Sequence, residues 1–221
     1  MSSHVLVNCN MLVDPILRSY IEMVHQYYPS SVGLSKEKIL AALEDLNHAE
    51  WDRYREAIKK KMSEKIKWEA FIKTMKSSHS DLIVENRAIY SNLNDPSLAA
   101  HITDTFDRNY KIIIFRSVLT DAVGFVFINY KNINIEDPIM DLRFKNEKLF
   151  DLRFSFAPFN ERFNLLLQKI NASLQTIYNS MHFPYEYAKF PIENIISFQP
   201  SSQWDPTKSI LFFCLFGENI W

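Results

Sequence analysis

The sequence predicts an α/β protein with a parallel central sheet, helices on both faces and a C-terminal α+β extension. Three observations carry that prediction. Apolar segments alternate with amphipathic helical ones over residues 1–138, the pattern of βαβ units. Tyr110 to Phe115 is a near-continuous aliphatic run of the kind buried on both faces of a parallel sheet. Beyond residue 138 the texture changes to short alternating segments around one long helix.

The elements follow in order. Val5-Leu6-Val7 reads as a first strand that ends in polar Asn8 and Asn10. Asp14-Pro15 then opens a helix to about Tyr28, an N-cap followed by the residue best suited to the first helical position. Ser35 caps a second helix to about Asn47. A charged helical stretch from about Ala49 to Lys76 repeats apolar residues at three- and four-residue steps: Trp51, Tyr54, Ile58, Met62, Ile66, Ala70, Ile72, Met75. Leu82-Ile83-Val84 reads as a short strand, with a helix through Tyr90 as the alternative. Asp95-Pro96 opens a further helix to about Arg108, again by cap and proline. Tyr110–Phe115 and Val123–Tyr130 are strands, and Asp137-Pro138 closes this part. In the extension, Leu152 to Phe156 alternates as a strand does, and Phe159 to about Met181 is an amphipathic helix. Ile195–Phe198 and Ser209–Phe216 are strand candidates flanking a polar loop.

Composition narrows the function classes. The chain has 221 residues, 47% hydrophobic and 14% aromatic, enough for a well-filled core, and a net charge of -1 that gives no global field toward nucleic acid or membranes. Cys9 and Cys214 stand far apart without close-spaced partners, which argues against a zinc site or a disulfide framework. No apolar run approaches the about 20 residues of a membrane helix, and the start lacks a signal-peptide pattern, so a cytoplasmic protein is expected. The three glycines, Gly33, Gly124 and Gly217, are isolated, so no phosphate-binding glycine loop, and hence no nucleotide cofactor of that kind, can be written.

Residues 1–138 resemble the PIN domain, a metal-dependent nuclease family. The resemblance is carried by Val5-Leu6-Val7-Asn8-Cys9-Asn10, Leu43-Glu44, Asp95-Pro96-Ser97-Leu98-Ala99-Ala100, Lys111-Ile112-Ile113-Ile114-Phe115 and Asn132 to Pro138, in the family's order. It implies a metal-dependent endoribonuclease of the toxin or defence type, with Asn8, Glu44, Asp95 and Asp121 around Mg²⁺ or Mn²⁺. Glu44, Asp95 and Asp121 would be the catalytic carboxylates, since hard cations take oxygen ligands and activate water for phosphodiester attack. Two departures imply weakened or absent activity: Asn8 stands where the family has its first aspartate, and Phe115-Arg116-Ser117 stands where an acid follows the later strand.

Lys59, Lys60 and Arg116 are the candidate phosphate contacts for RNA, within a locally basic stretch whose alternative role is a solvated face with i,i+4 pairs. Arg18 and His25 share a helix face in a spacing similar to that of HEPN ribonucleases, whose all-helical fold the 111–115 strand contradicts. The other function class is a non-enzymatic interaction subunit of a larger intracellular complex. It would bind a protein partner through the aromatic C-terminal part, Phe144 to Phe163 and Phe212 to Trp221.

Overall fold

The computed structural model describes residues 14–45, 49–91, 95–108, 110–129, 154–158, 161–178, 180–197 and 207–217. The expected first strand, with Asn8 and Cys9, lies outside these residues, as do the boundary expected at 138 and the turn before it.

Helices α1 (Pro15–Tyr27), α2 (Lys36–Glu44) and α3 (Asp52–Ser78) form where their caps and periodicity place them. Asp14 accepts the Ile16 N–H at 2.8 Å, and Ser35 accepts the Lys38 N–H, so α1 and α2 each begin with a side-chain cap. A single 3₁₀ turn, Ala49–Trp51, leads into α3.

The strands are β1 (Leu82–Asn86), β2 (Ser97–Asp104), β3 (Tyr110–Ser117), β4 (Ala122–Asn129), β5 (Phe154–Ser155) and β6 (Met181–His182). They form one sheet in the order β1-β2-β3-β4-β5, every neighbour antiparallel, with β6 beside β4 in a two-residue parallel pairing. The chain continues through α4 (Glu161–Ile177), a 3₁₀ turn (Tyr185–Tyr187), the hairpin pair β7 (Pro191–Glu193) and β8 (Lys208–Ile210), and α5 (Leu211–Phe216).

The parallel central sheet expected from the sequence is therefore incorrect: the sheet is an antiparallel meander. Strands β1 to β4 follow one another in sequence, and among the described residues no helix crosses between them. The decisive misreading is at Asp95-Pro96. These residues introduce strand β2, not a helix. The Asp95 carboxylate accepts the Ser97 N–H at 3.1 Å, a local turn that serves a strand start as well as a helix cap. Ala99 and Ala100 favour helix, but both lie fully buried in the sheet's middle, one on each face, where packing overrides propensity. An aliphatic run such as 112–115 indicates burial on both faces; it does not fix strand direction.

Two clusters flank the sheet. One holds α1, α2, the first half of α3 and α5 against Ala99, Ile113, Phe115 and Val126. The other holds the second half of α3 and α4 against Leu98, Ala100, Ile112, Ile114 and Phe127. Helix α3, 27 residues long, serves both clusters. Its buried side chains shift along its length, which leaves Met62 and Ile66 of the predicted stripe exposed.

The expected last strand, Ser209–Phe216, is β8 followed by helix α5, and Ile195 makes an isolated bridge to Ser30 instead of a strand. Phe212, Cys214, Leu215 and Phe216 of α5 are buried, as are Phe156 and Phe163. Among the described residues of the C-terminal aromatic part, these rings build the core, while Phe144 and Trp221 of that part lie outside the described residues. Phe212 stacks on Phe156 at 4.5 Å and on Phe216 at 4.7 Å between ring centroids.

Candidate functional site

A groove of about 610 Å³ opens between α1, α3 and the β3–β4 turn. Ile16, Tyr20 and Met23 of α1 form an apolar wall, and Lys60, Ser63 and Glu64 of α3 face Arg116 and the turn Ser117 to Ala122. Helix α1 turns Leu17, Tyr20 and Val24 inward, so its next face, with Ile16, Ser19 and Met23, lines the groove.

The turn is firmly built. Ser117 Oγ accepts the N–H groups of Leu119 and Thr120 at 3.2 and 3.3 Å, and Thr120 Oγ1 accepts that of Ala122 at 3.0 Å. Val118 N–H donates to the Pro96 carbonyl at 2.8 Å and ties the turn to the start of β2.

Arg116 is the central charge. It is 7% exposed, and its guanidinium lies 4.5 Å from the centroid of the Tyr178 ring. Nη2 donates to Asp121 Oδ1 at 3.2 Å and stands 3.8 Å from Glu64 Oε2, while Nε and Nη1 have no hydrogen-bond partner among the described residues. Burial raises the Tyr178 phenol above its ordinary pKa, and Arg116 acts against that rise.

Of the residues singled out in the sequence, the groove brings together Lys60, Arg116 and Asp121. Lys59 lies exposed beside them on α3, paired with Glu56 at 2.5 Å. Glu44 is exposed at the last turn of α2 and does not line the groove. Asp95 is buried elsewhere, bonded to the Ser97 N–H and to Ser97 Oγ at 3.0 Å. Asn8 falls outside the described residues. Among the described residues, no three His, Cys, Asp or Glu side chains form a group that could hold a metal. Arg18, exposed on the outer side of α1, pairs with Glu22 at 3.9 Å.

Two residues escaped the sequence reading. Lys61 is fully buried in mid-helix α3. Burial pulls its ammonium below lysine's ordinary pKa, and the charge of Asp95 acts in the opposite direction. Its identity inside a Lys-Lys-Lys run hid it; only its place on the inward face, three residues after Ile58, signals burial. The other is Glu64, an acid inside the locally basic stretch that no sequence feature marks as Arg116's neighbour.

No protein-family model matches the chain, and no curated protein and no solved structure matches it. Among the described residues, no helix is long and apolar enough to cross a membrane.

Proposed function

We propose that the protein is a ligand-binding module that takes a small amphipathic molecule into the groove between α1, α3 and the β3–β4 turn. The observation that carries this reading is the pairing of an apolar wall with a few converging polar groups in one concavity of about 610 Å³. Binding sites for small molecules run from roughly 300 to 1,000 Å³ and have that division of labour. The apolar side chains Ile16, Tyr20 and Met23 would cover the ligand's body, and Lys60, Glu64 and Arg116 would orient its polar end. No observation among the described residues favours the nuclease reading over this one, because Glu44 and Asp95 do not share the groove with Asp121.

Fragment titration followed by backbone amide NMR tests the proposal, with Ser19→Trp as the blocked variant. Ser19 is exposed and lines the groove, so an indole there fills space without entering the core. Amphipathic fragments should shift the amides of 19–23 and 118–122 in the native protein and leave the variant unchanged. Equal shifts in the variant, or none at those residues in either protein, would contradict the proposal.

A further inference from the structure

We infer that the occupant of this groove carries a carboxylate or phosphate, which anchors on Arg116 by displacing the side chain of Asp121; the inference rests on the ligand-binding reading above. Arg116 is a buried cation, and among the described residues much of its hydrogen-bonding capacity is unused. A guanidinium offers five N–H donors. Among the described residues, Nε and Nη1 find no acceptor, Glu64 stands beyond hydrogen-bond range at 3.8 Å, and Tyr178 offers its ring face. A buried charge left with so few partners favours any acceptor that arrives.

Asp121 holds the position at the groove's mouth. Its side chain is 86% exposed, while that of Arg116 is 9% exposed, so the ion pair has one fixed and one solvated member. Such a pair is easily opened, because the solvated carboxylate regains water when it leaves. The turn does not have to move for this to happen. Its backbone is held by Ser117, Thr120 and the Pro96 carbonyl, and none of those bonds involves the Asp121 carboxylate.

Charge balance points the same way. With Asp121 in place, two cations (Lys60 and Arg116) face two carboxylates (Glu64 and Asp121) across the groove. With Asp121 turned into solvent, the lining keeps a single excess positive charge, which one anionic group neutralises. Asp121 Oδ1 marks where an acceptor meets Nη2, and carboxylate and phosphate are the groups whose planar or tetrahedral oxygens suit a guanidinium. Lys60, exposed on the opposite wall, supplies a second cation within the same lining.

Calorimetric titration with hexyl phosphate, hexanoate and hexan-1-ol tests this on the full chain. At least one anion should bind about tenfold or more tightly than the alcohol, a difference of about 1.4 kcal/mol. Which of the two binds more tightly identifies the headgroup. Asp121→Asn keeps the shape of an exposed side chain and should tighten anion binding about threefold without changing the alcohol. Lys60→Ala, also on the surface, should weaken the anion alone. Arg116→Gln should reduce the anion to the alcohol's affinity, its fold checked by circular dichroism. Equal affinity for alcohol and anions would overturn the inference while leaving the groove as a binding site. Anion binding indifferent to Asp121→Asn would overturn the displacement, and binding of none of the three probes would overturn the ligand-binding reading itself.

Discussion

Gly124 on β4 lies directly beneath Phe216 of α5: a methyl group added at its Cα would stand 2.8 Å from Phe216 Cε2 and 2.9 Å from Phe212 Cε2. Both rings are buried against Phe115, Phe156 and Phe183, so neither can swing away. Gly124→Ala should therefore destabilise the fold by about 2 kcal/mol through overpacking. Thermal unfolding should show a Tm lowered by roughly 4–8 °C. Phe216→Leu combined with Gly124→Ala should cost less than the sum of the two single changes, because the smaller side chain makes room for the methyl group.

Asp95 and Lys61 make a second stability prediction. Asp95 gathers the Ser97 N–H and hydroxyl, and its charge reaches Lys61, Tyr28 and Tyr54 in the same buried region. Asp95→Ala leaves a buried ammonium without that counter-charge and should cost about 3 kcal/mol in a urea titration. If Asp95 acted chiefly as a ligand at an exposed site, the substitution would leave stability close to native.

His101 gives the fold a pH dependence. It is 3% exposed on β2, with neither ring nitrogen hydrogen-bonded among the described residues. Burial, followed by the charges of Lys111 and Arg87, pulls its pKa down to about 4, and Glu85 acts weakly against them. The neutral ring is the folded form, whereas the unfolded chain takes up a proton near pH 6.5. Above pH 6.5 neither state binds the proton and His101 contributes nothing. As pH falls from 6.5 to 4 the unfolded state binds more protons, so stability is lost across that window. By pH 4.5 the loss attributable to this residue should reach about 2 kcal/mol. His101→Gln is expected to be less stable at neutral pH but to show a shallower fall in denaturation midpoint between pH 7 and 4.5. Parallel slopes in the two proteins would contradict this.

Much of the secondary structure was legible in the sequence, and the reasons are local. Asp14-Pro15 and Ser35 are caps whose hydrogen bonds close within two or three residues, so the starts of α1 and α2 follow from nearest neighbours. The strands at 110–117 and 122–129 are marked by composition. Their direction is a tertiary property: with a turn of four residues between them, 118–121, β3 and β4 must run antiparallel. That short connection was visible and outweighed the aliphatic run as a guide to topology. The strand at 97–104 was hidden because Ser-Leu-Ala-Ala is good helical sequence and only its neighbours β1 and β3 make it a strand. Of the groove, the sequence singles out Lys60 and Arg116 as candidate phosphate contacts and Asp121 as a candidate metal-binding carboxylate. The apolar wall from α1 and the role of Glu64 depend on how α1 and α3 meet the end of the sheet, which no periodicity encodes.

If Arg116 anchors the ligand of the groove, its own side-chain resonance is the most direct witness. In ¹⁵N-labelled protein, titration with hexyl phosphate should shift the Arg116 Nε–H signal saturably, with the same midpoint as the amides of 118–122. The exposed Arg18 signal should stay in place. A stationary Arg116 signal, while the protein binds the probe elsewhere, would contradict the account.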